Sequence, residues 1–445
     1  MCIFNRKKRR VTVLLGAGAM IEATGVGTGT ITKKVLEAGK HEKLNGHISV
    51  LEQFANDFNQ KHARDRYGRN ANFEDLFDLL EELAGYTYTE YIDSASIILS
   101  DLKKVYKDNV DYRVVSSLRR KVLDAINLTV ASYDQQYSGN SGCNDSYNGN
   151  CAGACDNNCN NTCKDICDDA CSGGCDSTWM TNFFHNYIKR EKVALDVFNL
   201  NYDTWIEQIL EPYGYEDGFA PIEGYDDFQR FIVTKYLNHG NKHTISHLHG
   251  SICFDAPAFK PKDINKFMYE EQEYTLYKYK DFTTAEAFRK RHARSDMKSQ
   301  SGHVIFPANI ITGRMKTDKL LWAPMQMYMY GLIKALMENE ELFIIGYGFG
   351  DQYINHLLFQ YLQKHGGSNR KVHMITKCEE DQYYENVISH GDPFQDRQAI
   401  FSQCIMGKMH WCNQFKMQSR YKAENSEIYI DGFKKFCEEY VGAEK

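Results

Sequence analysis

Val11-Thr12-Val13-Leu14-Leu15-Gly16-Ala17-Gly18-Ala19 is a run of β-branched and apolar residues that passes directly into four small ones. A run of this length suits one buried strand, and glycine after a strand permits a tight turn. Backbone N–H groups in a turn of small residues can approach a phosphate closely. The stretch therefore predicts the first strand of an open α/β sheet, followed by a turn that tolerates a nucleotide.

Other short apolar or β-rich runs follow along the chain. They cover residues 195–200, 244–248, 303–307, 341–345 and 371–376. Helical periodicity fills the space between them, most clearly over 72–83, where Asn72 can cap a helix with one apolar face, and again over 323–337. Strands that alternate with helices predict an α/β fold, here a Rossmann-like, mostly parallel sheet of about six strands with helices on both faces.

Long insertions interrupt this pattern. We predict a catalytic domain over 1–380 that contains a helical region (40–136), a cysteine-rich low-complexity insertion (137–180) and a charged insertion (255–302). A helical C-terminal extension is expected over 381–445. The chain has 445 residues and is 42% hydrophobic, so it is long enough for a large core and for more than one domain.

The cysteine-rich insertion has an unusual spacing. Eight of the 14 cysteines crowd residues 143–175, and the last seven of them recur at every fourth position. The residues between them are mostly Asn, Asp, Gly, Ala and Ser, which favours a solvated low-complexity segment. A soft-metal site and a disulfide scaffold are the alternatives. Cys151, Cys155, Cys159 and Cys163 are weak candidate ligands, and no metal is firmly predicted.

The charge balance gives no argument for nucleic-acid binding by the bulk of the chain. The net charge is −6, and six aspartates against one lysine in residues 143–176 account for five of those charges. A basic cluster over 289–294 is either a partner or nucleic-acid surface or a solvated helix face. Because no run approaches about 18 apolar residues, no membrane span is predicted, and we expect a soluble cytoplasmic protein.

Polar motifs stand where three later strands are predicted to end. They are Asn201-Tyr202-Asp203, His249-Gly250 and Gly346-Tyr347-Gly348-Phe349-Gly350-Asp351. The carboxyl ends of parallel strands meet at one edge of a sheet, where ligands bind. An amide can orient water, an imidazole can accept a proton, Gly346 lets a nucleotide lie against backbone, and Asp351 can hold ribose hydroxyls. The structural alternatives are helix caps for the acids and amide, and a hydrogen-bonded strand residue for His249.

Together and in this order, the motifs resemble the sirtuin fold, and more closely the sirtuin-like NAD-hydrolysing proteins of bacterial antiphage defence. The shared features are the strand into Gly-Ala-Gly, the helix with Phe73-Glu74-Asp75, and then Asn-Tyr-Asp, Leu-His-Gly and Gly-Tyr-x-Phe-x-Asp. The resemblance spans residues 10–376 and is interrupted by the insertions.

The resemblance assigns roles to residues of this sequence. Asn201 and His249 match the catalytic pair of the family. The positions that contact the cofactor match Gly16, Ala17, Gly18 and Asp203. Met20 and Gly348 depart from the family, which usually has serine at both places. Deacylating sirtuins also carry a four-cysteine zinc module after the His-Gly strand, whereas residues 254–300 contain no cysteine.

The resemblance therefore implies an NAD+ glycohydrolase that cleaves NAD+ to nicotinamide and ADP-ribose and serves antiphage defence by NAD+ depletion. Because constant activity would be toxic, we expect control through a homo-oligomer or through an activating protein or nucleic-acid partner. Two alternatives remain. One is an NAD-dependent protein deacylase or ADP-ribosyltransferase with a peptide groove in 255–302, and the other is a non-catalytic sensor of NAD or ADP-ribose.

Overall fold

The computed structural model describes residues 8–41, 43–44, 48–62, 70–88, 112–138, 178–255, 276–291, 297–298, 304–305, 308–312, 320, 323–365, 371–377, 420–423 and 426–442. The cysteine repeat (143–175) lies outside these ranges, as do residues 256–275 of the charged insertion and the end of the basic cluster. The predictions made for those segments stay predictions.

Helices occupy much of the described chain. Their bounds are α1 Gly18–Thr24, α2 Thr28–Gly39, α3 Val50–His62, α4 Phe73–Tyr88, α5 Tyr112–Ser138, α6 Thr178–Glu191, α7 Trp205–Leu210, α8 Val233–Leu237, α9 Phe282–Arg291, α10 Met325–Glu338, α11 Gln352–His365 and α12 Phe433–Gly442. In the described residues, no helix is both long and apolar enough to cross a membrane.

Strands alternate with these helices. Their bounds are β1 Arg10–Leu15, β2 Lys43–Leu44, β3 Ile48–Ser49, β4 Ala194–Asn199, β5 Tyr215–Glu216, β6 Phe219–Ile222, β7 Tyr225–Phe231, β8 His243–His247, β9 Phe254–Asp255, β10 Tyr277–Tyr279, β11 Met297–Lys298, β12 Val304–Ile305, β13 Glu341–Ile345, β14 Lys371–Ile375, β15 Arg420–Ala423 and β16 Ser426–Tyr429.

One eight-stranded sheet forms the centre of the fold, in the order β15-β16-β14-β13-β1-β4-β8-β5. Seven of its strands are parallel, and β15 at one edge is antiparallel to β16. From β1 the sheet grows through β4 and β8 on one side, and the chain then returns to the other side of β1 for β13 and β14. In such open parallel sheets, the ligand crevice forms where the strand order reverses. Here that point is at the end of β1.

Helices cover both faces of the sheet, as the alternation of patterns predicts. Along β1, Val13 and Leu15 belong to the core on the side of α1, α6 and α12, whereas Leu14 belongs to the core on the side of α10 and α11. A strand buried on both faces is apolar at nearly every position, which explains why β1 is so clear in the sequence. The α/β class, the mostly parallel sheet and the helices on both faces are confirmed.

Five of the six predicted strands lie in this sheet, as β1, β4, β8, β13 and β14. The strand predicted over 303–307 is present as Val304–Ile305, but it pairs with Met297–Lys298 in a separate two-stranded sheet and not in the central one. The antiparallel partner lies only a few residues away in the chain, so local pairing satisfies this short apolar run. The predicted helix over 72–83 is confirmed as α4, where Asn72 Oδ1 accepts from Glu74 N–H at 2.9 Å.

The C-terminal segment differs from the predicted helical extension. In its described residues, 420–423 and 426–442, it contributes β15 and β16 to the sheet before the helix α12. Residues 381–419 of the predicted extension lie outside the described ranges. The sequence does not show an apolar run at β16, because two of its four residues are polar. One of them, Glu427, is buried, and its Oε1 accepts from His373 Nδ1 at 2.6 Å. Burial disfavours the charged imidazolium, but its hydrogen bonds to the carboxylates of Glu341 and Glu427 outweigh this effect and raise the pKa of His373. A paired carboxylate therefore takes a position where an apolar residue is expected.

The C-terminal helix is joined to the helix that follows the Gly-Ala-Gly turn. Glu22 of α1 accepts from the Lys434 N–H in the first turn of α12 at 3.0 Å, and Lys377 Nζ lies 3.5 Å from its other oxygen. Gly432 leaves room for this carboxylate, since a Cβ there would lie 2.3 Å from Glu22 Oε1. Glu22 thus caps a helix that is 412 positions distant in the sequence.

We expect Glu22→Ala to lower the free energy of unfolding by about 1 kcal/mol, because α12 loses its capping acceptor. Urea denaturation measures this change. The matched control is Glu37→Ala, which removes an exposed glutamate that lies 3.5 Å from Lys34 within one helix and should cost only a few tenths of that. Equal effects of the two substitutions would contradict the capping role.

Candidate functional site

The four sequence motifs lie at the carboxyl ends of four adjacent strands. Their order across the sheet is β13, β1, β4 and β8. At these ends, Ile345 pairs with Leu15, Leu15 with Asn199, and Asn199 with His247 across neighbouring strands. Asn201 and His249 each lie two residues beyond the last of these pairs. The sheet therefore brings the predicted amide and imidazole to neighbouring positions on one edge, since adjacent strands are about 4.8 Å apart.

The loops after β1 and β13 touch backbone to backbone. Gly16 N–H donates to Ile345 O and Gly18 N–H donates to Gly346 O, both at 2.8 Å. A Cβ on Gly16 would lie 2.6 Å from Gly346 O, and a Cβ on Gly346 would lie 2.0 Å from Ala19 N. Gly346 also has φ +61°, a region that favours glycine. Glycine is needed at these positions because the two loops leave no space for a side chain.

This arrangement changes the interpretation of the Gly-Ala-Gly turn. The sequence suggested that glycine N–H groups here face a pyrophosphate, but those of Gly16 and Gly18 already donate to protein carbonyls. Ala17, between them, is exposed and is the member of the turn that can face a ligand. The small residues of the turn therefore allow the two loops to touch, and Ala17 is the most exposed member of the turn. The cofactor contacts predicted for Gly16, Ala17 and Gly18 stay predictions.

Asn201 is held in a defined orientation at the end of β4. Its backbone N–H donates to Asn199 Oδ1 at 3.0 Å, and its side-chain Nδ2 donates to the Gly16 carbonyl at 3.3 Å. Because a carbonyl can only accept, the amide must turn its NH2 group toward Gly16. The amide oxygen then remains available, and within the described part of the chain it has no hydrogen-bond partner. Asn201 thus presents an acceptor to the site.

His249 is held from the opposite side of the site by Asp351. The Nε2 atom of His249 lies 2.9 Å from Asp351 Oδ2, and each side chain is only 9% exposed. The two residues come from β8 and from the loop after β13, so their contact spans the ends of β1 and β4. His249 Nδ1 makes no hydrogen bond within the described ranges, and it is not one of the buried polar atoms that lack a partner. The pair thus leaves one ring nitrogen accessible.

The backbone around His249 is also fixed. Ile311 N–H donates to His249 O at 2.7 Å, and Gly250 has φ +88° with Asn309 O only 2.1 Å from the position of a Cβ. Asn309 in turn exchanges side-chain hydrogen bonds with Asn127 of α5. Residues 308–312 and α5 therefore support the imidazole, although no sequence pattern marked either segment for this role.

Asp203 lies in the interior rather than at an open edge. It is 1% exposed, its Oδ1 accepts from Trp205 N–H at 3.3 Å, and Tyr133 Oη donates to its Oδ2 at 3.3 Å. The bond from Trp205 N–H, at the start of α7, is the kind of contact that the helix-cap alternative predicts for Asp203. Burial first, and then repulsion from Asp134, raise the pKa of Asp203 to about 7. Asp134, which binds Thr204, has its own pKa raised to about 6, mainly by burial.

A cluster of buried charged side chains lies next to the Asn201 loop, since His247 Nδ1 is 3.5 Å from the Asn201 carbonyl oxygen. Glu207 Oε1 is 2.7 Å from His247 Nε2 and 3.8 Å from Lys278 Nζ, which is itself 2.7 Å from Asp217 Oδ2. Burial opposes the charge on Glu207, but His247 outweighs it and lowers the pKa of Glu207. Sequence reasoning missed this group, since Lys278 lies in the charged insertion and nothing in the local pattern links it to β8. In the described residues, no three His, Cys, Asp or Glu side chains are placed to hold a metal.

The raised pKa of Asp203 predicts a pH-dependent effect of Asp203→Asn. A buried acid whose folded pKa is raised contributes stability below its unfolded pKa, near 4, and that stability is lost as pH rises toward the folded value. The asparagine variant keeps the acceptor for Trp205 N–H and removes the titration. We expect its unfolding free energy, relative to the wild type, to rise by about 2–3 kcal/mol between pH 5 and pH 8. Urea denaturation at both pH values measures this, and a pH-independent difference would contradict the assignment.

Comparison with known families agrees with this geometry. Residues 196–391 match a family model described as the SIR2-like domain. Over this span, the chain is similar to a SIR2-like domain. The matched span of the SIR2-like domain starts in β4 and includes Asn201, His249 and Asp351, while β1 and its turn precede it. A SIR2-like domain is compatible with an NAD-utilising enzyme, and NAD+ is the ligand that it implies. No curated protein matches the chain.

Proposed function

We propose that this chain is an NAD+ glycohydrolase that uses Asn201 and His249. One observation carries the proposal: the amide oxygen of Asn201 and the Nδ1 atom of His249 stand at the ends of adjacent strands, each held by a contact at its other polar atom. These contacts leave Asn201 Oδ1 and His249 Nδ1 as acceptors at the same edge of the sheet. Two acceptors at one place suit a reaction in which water must be oriented and then lose a proton.

In this proposal, NAD+ lies across the ends of β13, β1, β4 and β8. The nicotinamide ribose lies between Asn201 and His249, and the pyrophosphate passes the exposed Ala17. Asn201 Oδ1 accepts a hydrogen bond from the attacking water, and His249 receives its proton. Gly346 permits the close approach of the loops that hold this edge together, and Asp203 supports the Asn201 loop from below.

The sequence favours hydrolysis over deacylation. Residues 254–300 contain no cysteine, so the zinc module that deacylating sirtuins carry at this place has no ligands here. A hydrolase needs only water as the second substrate and no groove for an acylated peptide. We further propose that the protein is a cytoplasmic effector of antiphage defence, kept inactive until a homo-oligomer forms or an activating protein or nucleic acid binds.

The test is an assay of the purified full-length chain with NAD+, followed by chromatographic measurement of nicotinamide and ADP-ribose. It is run with and without phage-infected cell extract as a source of activator, and light scattering reports the oligomeric state in each condition. Gly348→Ala is a matched control, because a Cβ there meets nothing within 4 Å. Equal release of both products, retained in Gly348→Ala and lost in His249→Ala, supports the proposal.

Other outcomes reject it in favour of a named alternative. An O-acyl-ADP-ribose product, formed only when an acylated peptide is added, indicates a deacylase. Transfer of ADP-ribose to protein indicates a transferase. Binding of NAD+ or ADP-ribose without turnover in either condition, unchanged in His249→Ala, indicates a sensor.

A further inference from the structure

The two carboxylate oxygens of Asp351 contact different groups. Its Oδ1 accepts from the N–H groups of Tyr353 and Ile354 at 2.9 and 3.2 Å, in the first turn of α11. Its Oδ2 lies 2.9 Å from His249 Nε2. The sequence interpretation offered ribose hydroxyls as its partners, but the structure gives one oxygen to a helix and the other to the imidazole.

The loop that carries Asp351 is braced by its own side chains. The single hydroxyl hydrogen of Tyr347 is shared between the Asp351 carbonyl and Asn355 Oδ1, which lie 3.0 and 2.8 Å from Oη. Asn355 Nδ2 donates to the Phe349 carbonyl at 2.8 Å. Phe349 has φ +52°, an uncommon conformation for a residue other than glycine. The braced loop and the first turn of α11 together determine the position of Asp351 Oδ2.

This geometry determines the tautomer of His249. An ionised carboxylate can only accept, so Nε2 must carry the hydrogen that is shared with Asp351. Neutral imidazole has one protonated nitrogen, and therefore Nδ1 carries a lone pair. Nδ1 is also the nitrogen that has no hydrogen-bond partner among the described protein groups.

We propose that Asp351 is a positioning residue that keeps His249 in the Nε2–H tautomer, so that Nδ1 is the base of the reaction. The inference rests on the proposed hydrolysis of NAD+ and adds a residue to it. Water forms a bond from its oxygen to C1′ of the nicotinamide ribose. The C1′–N bond breaks, and its electron pair stays on the nicotinamide nitrogen. One water proton moves to Nδ1 of His249 and then to solvent.

The decisive variant is Asp351→Asn. Asparagine is a good N-cap, and the helix N–H groups require its oxygen as their acceptor. Its NH2 group then faces Nε2 of His249, which must accept, so the hydrogen moves to Nδ1. We expect kcat to fall by about 10²–10⁴-fold, with the base-dependent limb of the kcat pH profile lost and KM little changed.

The matched control is Asp281→Asn. Asp281 is an exposed cap whose Oδ1 accepts from Thr284 N–H at 2.7 Å in α9, so its replacement changes the same chemical group at another helix start. We expect kcat of this variant to stay within about twofold of the wild type. Circular dichroism and urea denaturation verify that both variants fold.

A second readout does not depend on turnover. ¹⁵N NMR of histidine-labelled protein distinguishes a protonated Nε2 from a protonated Nδ1, and the signal lost in His249→Ala identifies His249. We expect the Nε2–H form in the wild type and the Nδ1–H form in Asp351→Asn. An unchanged tautomer in Asp351→Asn would overturn the positioning role, whether or not kcat falls. A changed tautomer in a protein that does not hydrolyse NAD+ would support this role and reject the proposed function instead.

Discussion

His249→Ala is expected to lower NAD+ hydrolysis by about 10²–10⁴-fold, the range that a positioned general base contributes. Alanine has no acceptor where Nδ1 stands, so the attacking water keeps its proton while it bonds to the sugar. Asn201→Ala should also reduce kcat, because it removes the acceptor that orients the water and the hydrogen bond to the Gly16 carbonyl. Initial rates of nicotinamide release, measured by chromatography at saturating NAD+, give both effects.

The control for these losses is the stability of each variant. His249→Ala leaves Asp351 with its helix partners but without the imidazole, so some destabilisation accompanies the catalytic effect. The rates are therefore compared at a temperature where urea denaturation finds each variant fully folded. Wild-type rates in a folded His249→Ala variant would contradict the role of His249, and the assignment of the reaction would fail with it.

Gly346→Ala is expected to have the largest effect on stability, a loss of roughly 3 kcal/mol or more in the free energy of unfolding. Two costs combine. The residue would have to keep φ +61°, and its Cβ would lie 2.0 Å from the backbone nitrogen of Ala19. Backbone cannot yield as the end of a flexible side chain can, so the loops after β1 and β13 must separate.

Gly348→Ala is the matched control for this prediction. It lies two residues further along the same loop, has nothing within 4 Å of its Cβ position and does not have a positive φ. Its unfolding free energy should stay within about 0.5 kcal/mol of the wild type. If urea denaturation gives similar values for the two variants, the close contact between the loops is not a determinant of the fold.

Much of the sheet was predictable because its central strands are buried on both faces. Runs such as 11–15 and 341–345 are apolar at nearly every position, and that pattern needs no knowledge of neighbours. The short strands β5 and β16 escaped prediction. In β16, the buried Glu427 is stabilised by His373 of β14, so its burial depends on a residue more than fifty positions away.

In the candidate site, too, local sequence patterns predicted some features, and others depend on contacts between distant segments. The sequence identified Asn201, His249 and Asp351 because polar motifs after apolar runs place chemistry at strand ends. It did not pair Asp351 with His249, nor assign α5 to the support of Asn309, since those contacts join segments over 100 positions apart. The caps of α4 and α11 were predicted, because an N-cap acts on its own first turn.

Local chemistry by itself thus determined which segments become buried strands, which residues begin helices and which polar groups stand at the sheet edge, because each of these depends on residues close in sequence. Only the tertiary structure decided which nitrogen of His249 is held, which atom of Asn201 has a protein partner, and why Gly16 and Gly346 must lack side chains. Those properties depend on the distance and orientation between groups from different strands, and strand order and register create such distances only when the sheet assembles.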